Sequence, residues 1–171
     1  MKRILTAFYS LKGETYVNGE IVWREVGNTE IMARKIQRIA GGDLFHIENV
    51  EPYPSDHAEL IEAAKQELQQ NARPELSARV ENMDQYDILL LGYPNWWGTM
   101  PMAVHTFLES YDFTGKTIVP FCTHEGSGMG HSVADIRRLC PGATVTEGIA
   151  VRGGKADRAD REAEQLVKTI Q

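Results

Sequence analysis

The stretch Ile88-Leu89-Leu90-Leu91 is apolar at every position. A strand with one wet face alternates apolar and polar side chains, so an unbroken run predicts a central strand covered on both faces. Similar short runs recur at Ile4 to Phe8, Leu44 to Ile47, Thr117 to Cys122 and Ala143 to Val145, separated by longer stretches of helical spacing. This alternation predicts an α/β fold: a doubly wound parallel sheet with right-handed crossovers and helices on both faces. No linker, internal repeat or low-complexity tract interrupts it, so residues 1–171 are expected to form a single domain.

The helical stretches carry their own punctuation. Asn28 or Thr29 is placed to cap the first, which shows Met32, Ile36 and Ile39 on one face and stops at Gly41-Gly42. The second is expected to follow Ser55 as N-cap and to bury Leu60, Ile61, Ala64 and Leu68. Pro101 suits the first turn of a third, which carries Val104, Phe107 and Leu108. A fourth spans about His131 to Leu139, and a fifth runs from about Asp157 to Ile170 with Ala163, Leu166, Val167 and Ile170 as its buried stripe. Two features break the pattern. Tyr16 to Val22 places β-formers on both sides of Asn18-Gly19, a strong hairpin signal inserted after the first strand. Pro120, inside the fourth strand, removes a ladder donor and predicts an irregularity.

Charge narrows the function classes. Eighteen Lys and Arg against 24 Asp and Glu give a net charge of −6, the opposite of what nucleic acid or an acidic membrane attracts. Such a surface suits docking on basic patches of partner proteins. No apolar run approaches the roughly 18 residues that span a bilayer. Met1-Lys2-Arg3 followed by Ile4 to Phe8 has a basic flank but no cleavage pattern, and is read as the first strand of a cytoplasmic protein. Cys122 and Cys140 lack zinc-ligand spacing and are expected to be reduced thiols near the core.

In an open parallel sheet, ligands bind beyond the carboxyl ends of the strands where strand order reverses. The segments after the first, third and fourth strands therefore hold the candidate site. After the first come Tyr9-Ser10-Leu11-Lys12-Gly13-Glu14, the hairpin, and Gly27-Asn28-Thr29 at a helix start, a setting in which hydroxyls and free N–H groups hold a phosphate or merely cap the helix. After the third comes Tyr93 to Pro101, with adjacent Trp96 and Trp97 between Pro94 and Gly98; side chains of neighbouring loop residues point apart, so one is expected near solvent or a flat aromatic ligand. After the fourth comes Thr123-His124-Glu125-Gly126-Ser127-Gly128-Met129-Gly130, whose three glycines let backbone approach a ligand edge. The glycines there do not have dinucleotide-fingerprint spacing, no GxxxxGK[ST] occurs, and His124 and His131 have no further metal ligands beside them.

These residues resemble the flavodoxin family, and within it a group whose phosphate loop is interrupted by a hairpin. The resemblance runs from Ile4 to the last helix. It is most specific at Tyr9-Ser10 and Gly27-Asn28-Thr29, at Tyr93 to Met102, and at Phe113 to Gly128. It implies a flavodoxin-like five-stranded sheet of order 2-1-3-4-5 binding FMN at the switch between strands one and three. By position, Ser10, Asn28 and Thr29, with Gly27 closing the loop, would hold the phosphate. Pro94, Asn95, Trp96, Trp97 and Gly98 would flank the isoalloxazine ring, and Thr123, Glu125, Gly126, Ser127 and Gly128 would line its far side and polar edge. The inserted hairpin leaves open which of Leu11, Lys12 and Gly13 touches phosphate.

The function so implied is an FMN-binding electron carrier serving redox partner proteins. The alternative within the same fold is an FMN-dependent NAD(P)H:quinone-type oxidoreductase acting on a small quinone-like acceptor.

Overall fold

A computed structural model describes residues 1–171. Its strands are β1 (Ile4–Tyr9), β2 (Gly13–Val17), β3 (Glu20–Arg24), β4 (Asp43–Ile47), β5 (Ile88–Pro94), β6 (Thr117–His124), β7 (Thr144–Val145) and β8 (Ile149–Arg152). The main sheet is parallel, in the order β4-β1-β5-β6-β7, and β8 also pairs with β6. Counting β7 and β8 as one broken position, this is the 2-1-3-4-5 order expected. Parity explains the apolar run in β5. Leu89 and Leu91 join Leu5, Ala7, Val104, Phe107 and Ile136 in a core on one face. Ile88 and Leu90 join Phe8, Met32, Ile36, Val119, Leu166 and Val167 on the other.

The helices are α1 (Asn28–Ala40), α2 (His57–Gln69), α3 (Met102–Glu109), α4 (Ser132–Leu139) and α5 (Asp160–Lys168). Several expectations need correction. Asn28 and Thr29 lie inside α1, whose N-cap is Gly27; the capping hydroxyl comes from Ser10, which accepts from the Glu30 N–H at 3.1 Å. Ile39 points to solvent, 43% exposed. Asp56, not Ser55, caps α2, its carboxylate accepting from the Glu59 N–H. Of the expected α2 face only Ala64 is buried. The fifth helix begins as a 3-10 segment, Gly153–Arg158, before α5.

Pro120 does not break β6. It sits opposite Leu91 of β5, and the irregularity falls on the other neighbour: β7 pairs with Thr117 and Ile118, β8 with Phe121 to His124. The edge strand thus parts where proline offers no N–H. The inserted hairpin forms as expected, with Asn18 and Gly19 both at positive φ. Cys122 and Cys140 are buried and free, and burial pushes the Cys122 thiol up to about 12 and that of Cys140 to about 11. No helix is long and apolar enough to cross a membrane.

Candidate functional site

A cavity of about 330 Å³ opens at the carboxyl ends of β1, β5 and β6. Its floor is polar. Ser10 ends the turn out of β1, and Gly27 brings the chain back beside it after the hairpin. A Cβ on Gly27 would stand 2.1 Å from Ser10 Oγ and 2.5 Å from the Leu11 carbonyl oxygen, so only glycine closes this loop. Thr29 and Thr123 share a 2.7 Å hydroxyl–hydroxyl hydrogen bond that ties α1 to β6. Ser10 takes the Glu30 N–H, while the N–H groups of Asn28 and Thr29 at the start of the helix lack intrahelical acceptors. Asn28 Oδ1 is buried with no partner. Free N–H groups at the positive end of a helix dipole, with hydroxyls beside them, are a cradle for an anion.

One wall is the Trp96-Trp97 segment. Trp96 and Thr99 exchange backbone hydrogen bonds (2.8 and 3.3 Å), and Trp97 and Gly98 between them have φ of +57° and +87°. This is the positive-φ pair of a two-residue hairpin turn, a conformation a bulky side chain seldom adopts. The Asn95 side chain holds it: Oδ1 accepts from the Gly98 N–H at 2.9 Å and Nδ2 donates to the Gly128 carbonyl at 2.8 Å. The Gly98 carbonyl in turn accepts from the His131 N–H at 2.8 Å. The two indoles diverge as adjacent loop side chains should. Trp96 turns inward, edge-on to Tyr9 (5.6 Å) and Tyr53 (5.4 Å). Trp97 remains 48% exposed, donates Nε1–H to the Ile61 carbonyl and has Lys65 Nζ 5.5 Å from its ring centroid.

The third side is the segment after β6. Thr123, His124, Glu125 and Ser127 line the cavity. Burial pushes the Glu125 carboxyl up, opposed by the Asn18 N–H of the hairpin tip and by Arg152 and Arg24. Burial and the neighbouring Arg152 both lower the His124 imidazole. The two loops are joined by Asp135 of α4, which accepts from Thr99 Oγ1 and pairs with His131 and Arg138. Burial alone would raise Asp135, but these partners prevail and hold it below the usual carboxylate range.

Ten of the residues singled out in the sequence line this cavity: Ser10, Asn28, Thr29, Pro94, Asn95, Trp96, Trp97, Thr123, Glu125 and Ser127. Gly27, Gly98, Gly126 and Gly128 do not line it but shape the loops that do. Gly126, at φ +141°, donates its N–H to His124 Nδ1, and Gly128 supplies the carbonyl that Asn95 holds. Of the three positions left open, Leu11 is at the cavity, whereas Lys12 and Gly13 are not part of its lining.

Sequence reasoning placed Glu14 in the candidate loop after the first strand but missed the rest of the remaining wall. That wall consists of Glu14, Thr15 and Tyr16 from β2, His57, Leu60, Ile61 and Ala64 from α2, and Gly153. The hairpin and α2 hold each other: the His57 N–H donates to the Glu14 carboxylate at 3.0 Å, and the His57 ring meets Tyr16 edge-to-face at 4.6 Å. Gly153 lies close under the Asn28 side chain: a Cβ there would stand 2.5 Å from Asn28 Nδ2, which would have to shift. The signal for α2 was present as its apolar face, which covers the cavity rather than the core.

Comparison with known proteins agrees with this geometry. A family model described as Flavodoxin matches residues 21–166. The chain belongs to the flavodoxin family. No curated protein matches it in sequence. A crystal structure of a candidate flavoprotein from Bacteroides eggerthii DSM 20697 is 28% identical, with a TM-score of 0.77 over 98% of this chain and 99% of the other. A second, from Bacteroides uniformis ATCC 8492, is 23% identical, with a TM-score of 0.73 over 99% and 97%. A flavoprotein in complex with FMN from Lactobacillus acidophilus NCFM is 23% identical, with a TM-score of 0.64 over 92% and 98%. In this family member the floor is suited to an anion and the tryptophan side to a planar aromatic group.

Proposed function

We propose that the cavity holds one FMN and that the protein is an electron carrier acting in the cytoplasm. The observation that carries the reading is the union, in one cavity, of the anion cradle at α1 with the indole wall after β5. Ser10, Thr29 and the first N–H groups of α1 would take the phosphate. The unpartnered Asn28 Oδ1 would accept from a ribityl hydroxyl, a donor that satisfies a buried acceptor. Pro94, Asn95, Trp96, Trp97 and Gly98 would stand along one side of the ring system. Thr123, Glu125, Gly126, Ser127 and Gly128 would stand along the other.

Bound FMN supplies reversible electron transfer, while the chain binds, orients and shields it. Trp97 and the apolar side chains of α2 exclude water from the ring. The acidic surface favours redox partners that present basic patches, and a small quinone-like acceptor is the alternative. The test is twofold. Cofactor released by heat from the purified protein should co-elute with FMN; recovery of mainly FAD would sink the assignment. Steady NAD(P)H oxidation with added quinone would instead identify an oxidoreductase of the same fold.

A further inference from the structure

The segment from Thr123 to Gly130 contains no Phe, Tyr or Trp, so the loops after β5 and β6 offer an aromatic wall on the Trp96-Trp97 side alone. The inserted hairpin supplies what the loop after β6 lacks. Tyr16 is part of the same cavity wall and is 39% exposed, an aromatic ring left available rather than packed into the core. Its position is fixed from three directions. The His57 ring meets it at 4.6 Å with an interplanar angle of 87°. The His57 N–H holds the neighbouring Glu14 carboxylate. On the opposite face of the hairpin, Val17 rests on Gly154, where an added Cβ would come 2.7 Å from Val17 Cγ1. At about 330 Å³ the cavity is at the small end for an organic ligand, so a molecule reaching from the α1 floor to the indole wall also meets the hairpin.

We propose that Tyr16 is a flavin-ring contact, delivered by the inserted hairpin in place of an aromatic residue in the loop after β6, with His57 as its positioning residue. This rests on the reading of the cavity as an FMN site. The hairpin then completes the aromatic enclosure of the ring and leaves the phosphate end to α1.

The two ends of the ligand allow a clean test, because FMN and riboflavin share the ring and differ in the phosphate. Apoprotein of the wild type and variants is titrated with each flavin, following fluorescence. Tyr16→Ala is expected to weaken FMN and riboflavin by the same factor, about tenfold for loss of one stacking aromatic. Tyr16→Phe should retain wild-type affinity for both. His57→Ala should give a smaller loss, again equal for the two ligands. A half-exposed position tolerates truncation, and Tyr16→Leu, which keeps apolar bulk without the ring, repeats the test should the Ala variant fold poorly. Unchanged affinities within twofold, or a loss confined to FMN, overturn the inference while leaving the FMN site standing. Failure of the wild type to bind either flavin overturns both.

Discussion

At the floor of the cavity, Ser10, Thr29 and Thr123 are locked by hydrogen bonds of 3.1 and 2.7 Å that join the turn after β1 to α1 and α1 to β6. At the α2 wall, His57, Leu60 and Ile61 are half-buried, and His57 meets the hairpin through one N–H to carboxylate hydrogen bond and one aromatic contact. The floor is anchored on the central sheet, where both cores converge. The wall joins an inserted element to a helix that buries only Ala64. A protein that must hold a charged end rigidly and accommodate a flat end can divide the work in this way. Loosely packed elements open at lower free-energy cost than the core to which they are attached.

The largest effect that would break this contrast lies at the floor. Ser10→Ala combined with Thr29→Ala should weaken FMN by about a hundredfold or more, since each lost hydrogen bond to a charged group is worth about 1.5–3 kcal/mol. Riboflavin, lacking the anion, should be affected far less. Ser10 also caps α1, so the variant will lose roughly 1 kcal/mol of stability; comparing the two flavins on the same variant removes that contribution. Equal weakening of both would place the phosphate elsewhere.

Next in size is the division between the two indoles. Trp96 is wedged between Tyr9 and Tyr53, so Trp96→Ala should cost about 3 kcal/mol in urea unfolding. Trp97, 48% exposed, should cost less than about 1 kcal/mol on the same substitution. A reversed order would mean that the indole at the strained turn position, not the inward one, carries the packing.

A smaller effect concerns the Asp135 link between the loops. The native Asp135 carboxyl is held below its ordinary range, so its contribution to stability is complete above the unfolded-state value near pH 4 and is lost as pH falls through the depressed native one. Asp135→Asn should therefore flatten the acid limb of stability against pH. The change should be on the order of 1 kcal/mol or less, because solvent screens its partners His131 and Arg138. Denaturant midpoints between pH 3 and 6 would show it. An unchanged acid limb would mean that Asp135 is not held below its ordinary range in the native state.

The same contrast marks what was legible in the sequence. Floor and tryptophan turn announce themselves locally: Ser10 and Gly27-Asn28-Thr29 bracket the hairpin, Asn18-Gly19 encodes its turn, and Pro94 and Gly98 frame the indoles. The buried parity of β5 follows from its unbroken apolar run. The wall was not legible because an amphipathic face has the same spacing whether it covers a core or a cavity, and Leu60, Ile61 and Ala64 cover the cavity. Tyr16 read as a strand residue and Glu14 as part of the loop before the hairpin; only docking of the hairpin brings them to His57. The cap of α1 escaped notice because Ser10 lies 20 residues from the N–H it accepts. β8 was missed for a related reason: Ile149 to Arg152 is too short to read alone and is defined by pairing with β6.

The smallest predicted effect tests whether the exposed indole acts on the cofactor rather than on the fold. Trp97 lies on the cavity wall with its Nε1–H engaged by Ile61 and Lys65 near its ring. An aromatic face carries negative charge density, and a packed indole excludes water. Both oppose negative charge gained by a neighbouring ring system on reduction, because a charge removed from water is poorly stabilised. Trp97→Ala should then loosen oxidised FMN and move the lower reduction potential upward. One-electron potentials change by 59 mV per tenfold change in equilibrium constant, so the expected shift is on the order of tens of millivolts. Lys65 opposes the indole's effect to the extent that its ammonium reaches the same site, and Lys65→Met should shift the potential downward. Spectroscopic redox titration of the two variants beside the wild type measures both shifts. A potential unchanged or lowered in Trp97→Ala would transfer the ring contact to Trp96, the indole that already faces inward.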